Sequence, residues 1–445
     1  MVLKKSSVCP SSGCVPEATF PLTFFDVLWI HAHPVERIFF YPLPQHYCTT
    51  DFMNSIVPSL TSSLSLTLHH FYPLAGKLRH SDLNSSTDFE IHYKHGDSVS
   101  LTVAESHADF QLLSSNHAQP FNDVYTLVPV PDKFSDDSKP LLSLQVTFFP
   151  NSGISIAIAL HHAACDGLNF MHFFKSWALA YRSEGSVPLF HPPPMFDRSL
   201  VNDPHGCHSI FLQDLLSFPA EEAPGSSKLA VWDDAVCATF LLSLEHIQSL
   251  KKIFSTKSRE NKTPSSFAVA CAYAWVCYVK TRDYSIKERA YFLFAVDCRG
   301  KLKPPVPAAF FGNCIGPGFI EEDVERLIGE DGFVVACKAI GRTIEACKDD
   351  ILKDVQEWTK KINTFVGTGK SLTTAGSPNF RVYDVDFGWG RPSKVQVTSI
   401  QKTGAICLAE GKQGQGIEIG FVRTKAIIDE FSSVFYNGLE LLHSA

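Results

Sequence analysis

The stretch from Pro140 to Ser183 fixes more of the fold than any other part of the chain. PLLSLQVTFFP (140–150) and GISIAIAL (153–160) are apolar runs of strand length separated by Asn151, Ser152 and Gly153, so they read as a hairpin. In the second run Ile154, Ile156, Ile158 and Leu160 share one face, and Ser155, Ala157 and Ala159 share the other. GLNFMHFFKSWALAYRS follows, with Phe170, Phe173, Phe174, Trp177 and Tyr181 spaced for one face of a helix and Asp166 placed as its N-cap. A hairpin feeding straight into an apolar-faced helix requires a helix packed on a sheet. Between them stand His161, His162 and Asp166, with Gly167 as the flexible point of a tight turn. Extending the strand period puts His162 with Leu160 and His161 with Ala159. The strand ends there, however, so periodicity leaves open which ring enters a cleft. A histidine there with an unperturbed pKa near 6.5 can take a proton from a hydroxyl near neutral pH. The plain alternative is that both rings are core or interface residues.

The chain has 445 residues, which calls for two cores of roughly 200 residues each. Its 45% hydrophobic and 19% charged residues are those of a globular protein, and its 35 phenylalanines suit large cores or an aromatic-lined channel. In the first half SLTSSLSLTLHHFYPLAGKLR carries Leu60, Leu64 and Leu68 at helical spacing until Pro73 stops it. EGSVPLFHPPPMFDRS (184–199) ends the Asp166-capped helix, since three prolines continue neither a helix nor a central strand. It reads as a crossover between domains: 1–185, a linking segment 186–210, and 211–445. The second half offers a helix in TPSSFAVACAYAWVCYVK, a strand in AYFLFAVDCRG and a helical region over about 333–366. The strands SKVQVTSI, GAICLAE and GIEIGFV and a last helix, KAIIDEFSSVFYNGLELL, complete it. Interleaved strands and helices in both halves predict an α/β fold with mixed sheets.

Several functions are excluded. A net charge of −7 without a long basic run argues against nucleic acid or anionic membrane as partner. No apolar run approaches bilayer length, and none of signal-peptide length follows Lys4 and Lys5. Thirteen cysteines without a CxxC pair, several in apolar patterns such as Cys271 and Cys277, read as reduced thiols of a cytosolic protein. The glycosylation sequons at Asn84 and Asn261 are chance matches. VGTGKS (366–371) lacks the first P-loop glycine, since position 364 is threonine. GQGIEIG (414–420) lies between two short strands and reads as a hairpin turn, and HGCH (205–208) is an isolated cluster without further metal ligands. No metal is expected.

His162-Ala163-Ala164-Cys165-Asp166-Gly167 matches the HxxxDG signature of coenzyme A-dependent acyltransferases, and DFGWG (386–390) lies 220 residues further on. In this order, with FYPLAGKLR (71–79), VDCRGKLKPP (296–305) and FFGNC (310–314), the chain resembles the plant BAHD acyltransferases over nearly its whole length. Phe310 departs from the tyrosine the family often places before FGN.

The resemblance implies two similar domains of mixed sheets and flanking helices, like chloramphenicol acetyltransferase, with a solvent channel between them. It makes His162 the general base and His161 a packing residue. Asp166 would point away from substrate and pair with Arg299 to shape the loop around Gly167. Asp386, Gly388 and Gly390 would form the family's second signature loop. The tetrahedral oxyanion would take a hydrogen bond from the Trp389 indole or from an amide near Asn313, unless Trp389 simply packs. Lys251, Lys252, Ser265 and Ser266 are the candidates for coenzyme A phosphates. No nucleophilic cysteine is needed, so Cys165 is dispensable.

FPLTFFDVLWIHAHPVERIFFYPLP, AGSPNFRVYDVDFGWGRPSKV and GIEIGFV resemble the branch that acylates anthocyanin, flavonoid and other phenolic glucosides. That branch implies malonyl-CoA as co-substrate, with no bound cofactor, and a glucose 6-hydroxyl as acceptor. A hydroxycinnamoyl-CoA donor is the alternative, and a non-catalytic phenolic-binding protein a remote one. A monomer is expected.

Overall fold

The computed structural model describes residues 1–11, 15–44, 47–81, 88–183, 189–190, 192–217, 234–259 and 262–443. Both sequons, at Asn84 and Asn261, and part of the proline-rich crossover lie outside them. Two large mixed sheets dominate. The first has six strands, in the spatial order Val2–Val8, Val99–Glu105, Leu142–Phe149, Gly153–Leu160, Val35–Pro42 and Lys394–Val397. The second has seven, in the order Ile315–Asp323, Arg289–Asp297, Ser371–Ala375, Ile406–Glu410, Gly416–Thr424, Ala235–Ser243 and Gln119–Pro120. A third, four-stranded sheet sits apart from both.

The hairpin is present and in register, with Gly153 opposite Phe149 and Leu160 opposite Leu142. Asn151 takes the left-handed conformation at its turn, φ 60°, which asparagine tolerates better than most residues. Every residue of both strands is buried. The isoleucine face packs with Phe170, Phe173, Phe174 and Trp177 of the helix Gly167–Arg182. The opposite face, with Ala157, meets Ala235, Cys237 and Val422 from the second half. A sheet with partners on both sides explains why the strand reads as a nearly continuous apolar run.

The two halves exchange strands. Lys394–Val397 pairs antiparallel with Val35–Pro42, so SKVQVTSI closes the first sheet and not the second. Gln119–Pro120 in turn adds to the edge of the second sheet beside Ala235–Ser243. The helical region expected over 333–366 is two helices, Gly332–Asp349 and Trp358–Gly367. Asp354 sits between them with φ 55°, a reversal that an unbroken helix cannot contain. GQGIEIG (414–420) runs from the turn of a hairpin into its second strand, Gly416–Thr424, which pairs antiparallel with Ile406–Glu410. VGTGKS runs from a helix into a strand, the reverse of a P-loop. HGCH lies at the start of the helix Cys207–Ser217, where Asp203 accepts hydrogen bonds from the Cys207 and His208 amides. Most of the described cysteines are buried free thiols, and among the described residues no helix is long and apolar enough to cross a membrane.

Candidate active site

The strand Gly153–Leu160 ends at the histidine pair. The His161 amide still reaches back to the Leu141 carbonyl at 2.8 Å, and the Ala164 amide then closes a turn on the His161 carbonyl. The two rings part there. His161 is buried; its Nδ1 accepts from the Ala163 amide at 3.3 Å, and burial pushes its pKa down to about 3, so it stays neutral. His162 is only partly buried and stacks face to face on the Trp29 indole, centroids 3.8 Å apart and planes 9° apart. Its Nδ1 is the sealed nitrogen, which leaves Nε2 as the one that can meet a substrate. Burial pulls its pKa below the ordinary value, while its own carbonyl, Asp166, Asn313 and Asp26 act against that shift. The result is a neutral base.

Two buried carboxylates hold this turn. Asp166 caps the helix through the Asn169 amide at 3.2 Å and turns its other oxygen to Arg299 Nη2 at 2.7 Å and the Cys314 amide at 3.1 Å. Arg299 is thus the partner named from the sequence. Asn169 strengthens the seam by donating to the Phe310 and Gly312 carbonyls, both at 2.9 Å. Gly167 is needed for space and not for freedom: its φ is ordinary, but an added Cβ would lie 2.5 Å from the Phe380 ring.

The second carboxylate, Asp26, was not singled out from the sequence. It is fully buried and accepts from the Thr23 amide and hydroxyl, from the Asn313 amide and side chain, and from Arg198 Nη1 at 3.3 Å. Asn313 Nδ2 spends its other hydrogen on the His162 carbonyl at 2.8 Å. A lone acid inside PLTFFDVLWI is the available signal, because an unpaired aspartate is costly to bury among apolar residues. Its distant partners, Arg198 and Asn313, are more than 170 residues away and carry no local signature.

These contacts bear on the two residues expected near the oxyanion. Every N–H of Asn313 is already committed, so it fixes the His162 backbone and has no donor left for an oxyanion. Trp389 packs among the rings of Tyr41, Tyr181 and Phe387. Tyr181 lies 14 residues along the helix from Gly167, about 21 Å at 1.5 Å per residue. Asp386 belongs to the same distant end: it accepts from the Gly388 and Gly390 amides at 2.7 and 3.0 Å and faces Arg182 at 3.6 Å. Gly388 and Gly390 have φ of 100° and 89°, values that exclude most side chains. Asp386 therefore builds its loop and stands outside the reacting centre. Lys251 donates to Ser266 at 3.1 Å, Ser265 caps the helix Ser266–Lys280, and Lys252 is exposed.

The HxxxD turn thus lies where the two halves meet, with the Asp386 loop at the far end of the helix it opens. The chain belongs to the Transferase family, the BAHD acyltransferases, whose model matches residues 1–437. It is an acyl-transferring enzyme. It is 36% identical to phenolic glucoside malonyltransferase 1 of Arabidopsis thaliana, covering 99% of this chain and 97% of that protein. It is 35% identical to the malonyl-coenzyme A:anthocyanin 3-O-glucoside-6''-O-malonyltransferase of Dahlia pinnata, at 99% and 97% coverage. The crystal structure of vinorine synthase has the same fold, with a TM-score of 0.74 and 21% identity over 98% of each chain.

Proposed function

We propose that this protein transfers a malonyl group from malonyl-CoA to a sugar hydroxyl, the glucose 6-hydroxyl, of a flavonoid, anthocyanin or other phenolic glucoside. The observation that carries the chemistry is the His162 ring: neutral, stacked on Trp29, sealed at Nδ1, and anchored through its carbonyl by Asn313 and Asp26. A ring held this way presents Nε2 as a base. It takes the hydroxyl proton as the sugar oxygen attacks the thioester carbonyl, then returns it to the departing coenzyme A thiolate. Asp166 acts on the turn and not on the substrate, since both of its oxygens are engaged by protein donors. Donor and acceptor approach along a channel between the two halves. Ser266 opens the helix Ser266–Lys280 and meets the Lys251 ammonium of the preceding helix Leu244–Ser258, and the two suit the phosphates of coenzyme A, because helix N-termini favour anions. The enzyme works as a monomer in the cytosol.

The donor assignment rests on the malonyltransferases among the relatives; a coumaroyltransferase of Arabidopsis thaliana stands at 32% identity. A panel of malonyl-, acetyl- and coumaroyl-CoA against one flavonol or anthocyanin glucoside, read by free thiol and product mass, tests it. Malonylated glucoside, with thiol release that depends on acceptor, is the expected result. Coumaroyl product alone would replace the donor. Thiol release without acceptor would indicate a hydrolase, and no release with any donor a binding protein.

A further inference from the structure

Arg37 is a buried cation without an anion among the described residues. It sits in the strand Val35–Pro42 opposite Ile158 and is 4% exposed. Its Nη1 reaches only the Met171 thioether at 3.2 Å, and its guanidinium lies 4.9 Å from the centre of the Phe170 ring. Nε is sealed and unbonded, while Nη2 is neither bonded nor sealed. Among the described residues no carboxylate comes within ion-pair distance. The charged and titratable groups that face it are Glu410 and Cys407, from the second sheet; burial pushes Glu410 toward its neutral form and raises the Cys407 thiol to about 11. A guanidinium removed from water normally has a carboxylate or phosphate in its fork. An exception of this kind calls for an explanation.

Its place supplies one. Phe170 is in the first turn of the Asp166-capped helix, where its amide bonds the Asp166 carbonyl. Residues directly opposite in an antiparallel pair share a face, so Arg37 lies on the face of Ile158 and Leu160, at the end of the strand that the His162 turn follows. Ile158 is two residues before the end of the strand at Leu160, about 7 Å, and the turn that carries His162 follows directly. We infer that Arg37 binds the free carboxylate of the malonyl donor and so selects an acidic acyl-CoA over neutral ones. This rests on the malonyltransferase reading and names the residue that enforces it. Arginine suits the task because its planar fork pairs with a carboxylate through two parallel hydrogen bonds.

The test is the ratio of kcat/KM for malonyl-CoA to that for acetyl-CoA, with one glucoside acceptor, in the wild type and in Arg37→Met. Losing one partner of a buried charge pair predicts a fall in this ratio of at least about 30-fold, with acetyl transfer retained. An unchanged ratio overturns the inference, and so does an equal loss with both donors in a variant that melts like the wild type. If Arg37→Met does not fold, Arg37→Lys gives the same readout. Retaining the charge without the fork should lower the ratio about tenfold, and a wild-type ratio in the lysine variant overturns the inference. A wild type that rejects malonyl-CoA defeats the functional reading itself, before any variant is made.

Discussion

The helix Gly167–Arg182 has a family signature at each end, and each signature has an aspartate facing an arginine. At the N-terminal end Asp166 and Arg299 are 1% and 5% exposed and meet at 2.7 Å. At the C-terminal end Asp386 and Arg182 are 31% and 41% exposed and stand 3.6 Å apart. The first pair spans 133 residues and joins the two halves; the second pins a loop to the end of a helix. Two aspartates that look equivalent as letters in a motif thus carry different loads. Burial decides which one the reacting histidine depends on.

The largest effect should come from the ring between these ends. His162→Ala is expected to lower acyl transfer by about 10²- to 10⁴-fold, the usual contribution of a general base, with an unchanged melting temperature. Because burial depresses the pKa of His162, the acid limb of kcat/KM in the wild type should lie below pH 6.5. As pH falls through that lowered value the ring gains its proton and the base is lost. An acid limb above pH 6.5 would contradict this assignment.

Asp166→Ala comes next. It leaves Arg299 buried without its best partner, a cost of about 3–5 kcal/mol in denaturant unfolding. Replacing both residues by apolar ones of similar volume should recover much of that stability. It should not recover activity, since the turn that presents His162 stays unpinned. Full activity and wild-type stability in Asp166→Asn would remove the positioning role.

Asp386→Ala should have the smallest effect. An exposed pair at this separation contributes up to about 1 kcal/mol, and the Gly388 and Gly390 amides can turn to water. Loss of activity should follow loss of folded protein, with the acid limb in place. If Asp386→Ala moves that limb, or destabilises as much as Asp166→Ala, the contrast between the two ends fails.

The local pieces of this site could be read from the residues alone. The hairpin, the Asp166 cap and the helix face depend on neighbours within a few positions, and Arg299 was reachable through the family likeness. What escaped depends on distance in the chain. Trp29 meets His162 across more than 130 residues, and Asp26 meets Asn313 across 287. Asn313 looked like a free donor because nothing local reveals that its hydrogens are taken. SKVQVTSI was correctly read as a strand, but its place in the first sheet is set by pairing with residues near position 38. The break after Asp349 was hidden for a different reason: the residues around Asp354 keep a helical composition while the backbone reverses.

The strand contributed by Lys394–Val397 also has a bearing on biosynthesis. When Leu160 leaves the ribosome, the outer rail of its sheet is still 234 residues from being made. At about 5–20 residues per second that delay is roughly 12–47 s, during which the Val35–Pro42 strand has an open flank. The nascent polypeptide therefore needs shielding from its own kind, and cutting it at the proline-rich crossover would leave two fragments, each lacking a border that the other carries.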